Sequence, residues 1–189
     1  NGLTKLVTNS MDNYDVVTAS RALMSFAKEF STWYLRLSRE RLHENQESQS
    51  VFGYALTQYT LLMSPFAPFM AERIYQNLPH ATDSVHLQAW PVCSEQLLAP
   101  DLEADMEKVM QIVEKGHAAR KASNIRLRQP LSRLTISLDF SSELKKLIME
   151  ELNVKDIAVV TNDQLQVSLD TTLTPELQDE GKMRDLIRD

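Results

Sequence analysis

The apolar residues between Asp12 and Leu42 follow the spacing of an amphipathic helix. This stretch contains neither glycine nor proline, and its apolar positions recur at alternating intervals of three and four residues. They are Val16, Ala19, Leu23, Phe26, Phe30, Trp33 and Leu37. At ~3.6 residues per turn these positions share one face, so the pattern predicts one long helix with a single buried side.

Three more helices are predicted before residue 124. Pro65 ends the second helix and starts the third, with Ser64 as its N-cap. Alternation of apolar and polar residues over 83–91 predicts an extended segment, after which the helical spacing returns. The second, third and fourth predicted helices cover residues 51–63, 65–78 and 101–123. Four helices favour a helical bundle.

After Asn124 the apolar spacing changes to the alternation that is typical of strands. The predicted elements, three strands and one helix, cover residues 134–138, 157–160, 165–169 and 142–152. A capping residue, a proline and an acidic first turn at 174–176 start a last helix that continues to the end of the sequence. We therefore expect a mainly α protein, with a helical bundle over 1–124 and a small, truncated α+β unit over 125–189.

The composition excludes several classes of protein. The 189 residues are 43% hydrophobic and 24% charged, which is ordinary for a globular protein. No apolar run approaches the ~18 residues of a membrane span, the first ten residues do not resemble a signal peptide, and Cys93 is the only cysteine. The four histidines are scattered, without metal-ligand spacing, and no nucleophile or phosphate-loop motif is present. We expect a soluble, cytoplasmic chain with no catalytic residue, metal site or cofactor.

The charge is distributed unevenly. The net charge is −6, but the window 115–138 holds six basic residues and no acidic residue, whereas 139–189 is acidic. Because salt screens charges beyond about 10 Å, a local basic segment is compatible with a nucleic-acid contact in an acidic protein. A solvated linker is the alternative interpretation.

Two groups of basic residues are candidates for contacts with RNA phosphates. In a projection of the first helix, the basic residues lie opposite Phe30 or on its flank, while Trp33 lies on the apolar side. Core packing is therefore favoured for Trp33, with base stacking as the alternative. The second group lies near the end of the fourth helix, where helix capping and ion pairing are the alternatives. The candidates are Arg21, Lys28, Arg36 and Arg39 in the first group, and Arg120, Lys121, Arg126 and Arg128 in the second.

The run from Phe30 to Arg41 resembles the Ser-x-Trp-Tyr-x-Arg-x-x-Arg-x-Arg signature of the anticodon-binding domain of isoleucyl-tRNA synthetases. Further blocks that resemble this family follow in the same order, at 65–76, 84–86, 90–91, 126–131 and 173–177. Valyl enzymes share the Trp-Tyr pair, but the arginines after it and the last block favour the isoleucyl branch. His43 departs from the family, in which an aromatic residue is more usual.

The resemblance implies a fragment that comprises the class I anticodon-binding bundle and part of the C-terminal junction. It implies isoleucine tRNA and the remaining synthetase domains as partners, with no DNA and no membrane, and ATP and magnesium as requirements of the parent ligase. The His-Ile-Gly-His and Lys-Met-Ser-Lys-Ser motifs are absent, so this piece should be inactive alone. The alternative function is a helical module, of this or of a valyl enzyme, that docks on its own synthetase without tRNA specificity.

Overall fold

The computed structural model describes residues 1–160 and 165–186. Its chain separates into two units, Asn1–Leu98 and Ala99–Asp189. The first unit is helical up to Tyr75 and continues in turns and irregular segments. Its α-helices are α1 (Gly2–Asp12), α2 (Val16–Glu29), α3 (Leu35–Leu37), α4 (Arg39–Glu44), α5 (Gln46–Met63) and α6 (Pro68–Tyr75).

The long helix predicted over 12–42 is present, but in several pieces. It begins at Val16, where the Asp15 side chain caps it by accepting a hydrogen bond from the backbone N–H of Thr18 at 3.0 Å. A π-helical segment, Phe30–Tyr34, separates α2 from α3, and Ser38 separates α3 from α4. The preceding helix α1 was not predicted.

Two clusters of buried side chains hold the first unit together. One joins α1, α2 and α5, and the other joins α5 and α6 to the segment around Val85. The first cluster is Val7, Ala19, Leu23 and Leu62, and the second is Leu61, Met63, Ala71, Tyr75 and Val85. The apolar face predicted for the first helix is therefore buried at Ala19 and Leu23.

Two details of the first unit differ from the predictions. The third helix begins at Pro68, with Ala67 as its N-cap, because the turn that follows α5 continues through residues 64–67. The segment predicted as extended contains a short 3₁₀ turn at Val85–Leu87. The Glu72 carboxylate fixes this turn by accepting hydrogen bonds from Ser84 Oγ and the Val85 N–H.

The second unit combines helices with a three-stranded sheet. Its elements are α7 (Pro100–Ala122), β1 (Leu131–Ile136), α8 (Ser142–Leu152), β2 (Val154–Val159), β3 (Val167–Leu169) and α9 (Pro175–Leu186). The strand order is β2-β1-β3, with β2 parallel and β3 antiparallel to β1. Together with the first unit, this confirms a mainly α chain with a small α+β part.

The helix α7 belongs to the second unit rather than to a bundle over 1–124. It packs against α8 and β3, and its buried face includes Val109, Ile112 and Val113. Gly116 continues this face against Leu152, which is fully buried. The division therefore falls at 98/99, because α7 finds its apolar partners after residue 124.

We expect Gly116→Ala to destabilise the second unit by roughly 1–3 kcal/mol, the usual cost of overpacking a tight core. A Cβ at this position would clash with both methyl groups of Leu152, and the buried leucine has little room to move. Denaturant unfolding of the variant and of Gly53→Ala measures this effect. Gly53 has open space around its Cβ position, so its alanine variant should unfold at a denaturant concentration no lower than the parent.

Candidate nucleic-acid interface

The first group of predicted basic residues lies on the surface of the first unit. Arg21 and Lys28 project from α2, Arg36 from α3 and Arg39 from α4, and all four side chains are exposed. Because the helix changes its geometry between α2 and α4, the simple projection at about 100° per residue does not extend across the group. Exposure of the four cations is what a phosphate contact requires.

A column of aromatic rings supports the helix from the opposite side. The Phe26, Phe30 and Tyr34 rings stack in sequence, with centroids 5.3 Å and 5.2 Å apart. Phe52 and Tyr59 from α5 extend the column, at 5.2 Å from Phe30 and 5.5 Å from Phe26 respectively. The rings are half-buried, so they form the inner face that the spacing predicts.

The π-helical segment has a local cause in the sequence. The Ser31 and Thr32 hydroxyls both donate to the Lys28 carbonyl, at 3.0 Å and 2.6 Å. Such hydroxyls compete with the regular backbone hydrogen bonds and widen or bend a helix. Arg36 Nε then donates to the Thr32 carbonyl at 3.0 Å. The signature residues therefore set the local backbone as well as presenting side chains.

Trp33 lies between the two environments predicted for it. Its ring is half-buried, and neither buried cluster of the first unit includes it. The Arg36 guanidinium covers one side, with Cζ 5.4 Å from the ring centroid, which is a cation–π geometry. Core packing, the interpretation favoured for Trp33, is therefore only partial, and stacking of an RNA base on this pair stays a prediction.

In the second unit the structure corrects the prediction for Arg120. Its side chain is only 2% exposed, although it lies in the basic window. Its guanidinium donates to the carbonyls of Leu152, Asn153, Arg126 and Gln129, at 2.5–3.0 Å, with all five N–H groups. Burial lowers the pKa of Arg120, although a guanidinium remains charged at neutral pH. A side chain engaged in this way does not contact a phosphate.

Two of the three remaining cations of the second group, Lys121 and Arg126, line an open groove. Lys121 and Arg126 are exposed and Arg128 is half-buried. The groove, of about 320 Å³, is lined by His117, Arg120, Lys121, Asn124, Ile125, Arg126 and Leu127. Asn124 has a left-handed conformation, with φ of 53°, that ends α7 and turns the chain into the groove wall.

Two other basic residues of the second unit form ion pairs. Arg133 Nε lies 3.0 Å from Asp156, and Lys155 lies 2.8 Å from Glu180. Each pair neutralises one carboxylate of the acidic segment 139–189. Over residues 1–160 and 165–186, no cluster of metal-ligating side chains is found, and no helix is long and apolar enough to cross a membrane.

A family model and individual relatives both match this chain, and both are of tRNA ligases. The family model for the anticodon-binding domain of tRNA ligases matches residues 1–136. The isoleucine–tRNA ligase of Clostridium kluyveri is 36% identical over 96% of this chain and 19% of its own length. The ligase of Deinococcus radiodurans is 36% identical over 93% of the chain and 17% of its own length. The chain thus spans about a fifth of the curated relatives that it matches.

Proposed function

We infer a function from the premise that this chain belongs to the family of anticodon-binding domains of tRNA ligases, which the match over residues 1–136 establishes. Its relatives over most of its length are isoleucine–tRNA ligases. We propose that it binds the anticodon stem-loop of isoleucine tRNA. Binding there would hold the acceptor end of the tRNA at an active site in another part of the parent enzyme.

The exposed cations are the observation that supports this role. RNA loops are recognised by stacking and by hydrogen bonds to base edges, while arginines and lysines fix the position of the backbone through its phosphates. Seven predicted contacts remain after Arg120 is removed from the set. They are Arg21, Lys28, Arg36 and Arg39 in the first unit, and Lys121, Arg126 and Arg128 in the second.

The parent enzyme is proposed to join isoleucine to tRNA at the expense of ATP, with magnesium, in the cytoplasm. None of the nine predicted site residues, Trp33 included, is assigned to that chemistry. The partners of this chain would be the tRNA and the remaining domains of the synthetase. Large apolar side chains that are mostly exposed, such as Tyr14 and Phe69, each 92% exposed, favour a contact with such domains in the complete enzyme.

Titration with RNA tests the proposed function. We expect the chain to bind the anticodon stem-loop of isoleucine tRNA more tightly than a stem-loop of scrambled loop sequence, with both affinities falling as salt rises. Fluorescence anisotropy at two salt concentrations measures both quantities. Equal affinity for the two RNAs would place the specificity elsewhere, and absence of binding at low salt would favour the docking module.

A further inference from the structure

The segment 126–129 has an unusual arrangement of its backbone. Arg120 Nη1 donates to the carbonyls of Arg126 and Gln129, at 3.0 Å and 2.9 Å. Asn153 Nδ2 donates to the two carbonyls between them, those of Leu127 and Arg128, at 2.9 Å and 3.0 Å. Four consecutive carbonyls therefore accept hydrogen bonds from two side chains, the buried Arg120 and the half-buried Asn153.

Asn153 is well suited to this position. It ends α8 in a left-handed conformation, with φ of 47°, which asparagine adopts more readily than most residues. Its side-chain oxygen accepts from Arg184 Nη1 at 2.8 Å, so the amide orientation follows from the partners on both sides. Its own carbonyl accepts from Arg120 Nη2 and from the Leu131 N–H.

We propose that Asn153, together with Arg120, is a positioning residue for RNA binding: it fixes the 126–129 backbone so that the Arg126 and Arg128 side chains are held ready for the phosphates. This inference rests on the proposed function. Because its carbonyls are held by these donors, the 126–129 backbone is already ordered before RNA binds. Binding to an ordered loop costs less conformational entropy than binding to a loop that must be ordered by the RNA.

The variant Asn153→Gly tests the positioning role. Glycine adopts the left-handed conformation without strain and keeps the backbone carbonyl, so the fold is expected to persist while the two side-chain bonds to the loop are lost. We expect stem-loop affinity to fall by about 3- to 10-fold, with the salt slope nearly unchanged, because the charges that contact the RNA are still present. Arg184→Lys is the matched control, because it weakens the bond to the Asn153 side-chain oxygen while it leaves both Asn153 donor bonds to the loop in place and keeps a cation beside Glu180.

A double-mutant cycle separates positioning from general structural support. We expect Asn153→Gly to have no further effect on affinity once Arg126 and Arg128 are both alanine, because the loop then has no cations to position. A full additional loss in that background, or an unchanged affinity of Asn153→Gly itself, would overturn the inference. If the two alanine substitutions leave affinity and salt slope unchanged, the proposed RNA contact at this loop fails instead.

Discussion

Replacing Arg120 with alanine is expected to destabilise the second unit by about 3–5 kcal/mol, the range for breaking a buried, hydrogen-bonded charged site. The guanidinium satisfies four carbonyls that come from the end of α8 and from the loop after α7. An alanine removes five hydrogen bonds from these acceptors and opens a cavity beside Leu152, while the Asn153 and Arg126 carbonyls each keep one backbone N–H donor. The effect should be close to the whole stability of a small unit.

The chain offers a direct way to follow this loss. All of its tryptophans and tyrosines lie before residue 99, so their fluorescence reports on the first unit only. Hydrogen exchange of the β1 and α8 amides reports on the second unit and should accelerate strongly in Arg120→Ala, while the fluorescence unfolding curve changes little.

Two further variants serve as references for the destabilisation caused by Arg120→Ala. Lys121→Ala removes an exposed cation next to Arg120 and should change stability by less than about 0.5 kcal/mol. Arg120→Lys keeps the charge, but all donors of lysine are on one nitrogen. Its loss of stability should therefore lie between those of Arg120→Ala and Lys121→Ala. Equal protection of the β1 amides in Arg120→Ala and Lys121→Ala would contradict a structural role for the guanidinium.

The sequence held a signal for the burial of Arg120 that the charge pattern obscured. The buried stripe of α7 passes through Val109, Ile112 and Gly116, and the next position at a spacing of four is Arg120. The charge of Arg120 favoured an exposed side chain, because arginine is rarely buried without partners. The partners are carbonyls at the end of α8 and in the following loop, and only the packing of α7 on α8 brings them together.

Local signals predicted helix α8 better than the first helix. The bounds 142–152 of α8 agree with the prediction because Ser141 caps its start and the left-handed Asn153 ends it. The π-helical segment after α2 depends on hydroxyl bonds to one carbonyl, which periodicity does not register. The sequence did not single out Asn153 for a related reason: its side-chain bonds to the carbonyls of Leu127 and Arg128 are tertiary and leave no local pattern.

Replacing Arg36, Arg39, Arg126 and Arg128 together with alanine is expected to weaken binding of the anticodon stem-loop on the order of 100- to 1,000-fold at about 0.1 M salt. Each phosphate contact contributes about 0.7 to the slope of log affinity against log salt for single-stranded RNA, so four contacts should lower the slope by about 3. Three of these arginines are exposed and Arg128 is half-buried, and none of the four belongs to the buried clusters of the first unit.

A variant of equal charge distinguishes specific contacts from the overall field of the protein. Its four substitutions remove exposed cations at positions that no proposed contact includes. They are Arg73→Ala, Lys108→Ala, Lys146→Ala and Lys182→Ala. Because the net charge of both variants becomes more negative by the same amount, a general electrostatic effect weakens them equally. If the proposed contacts exist, the arginine variant loses more affinity and more of its salt dependence than the control variant. Identical titration curves for the two variants would remove those arginines from the interface.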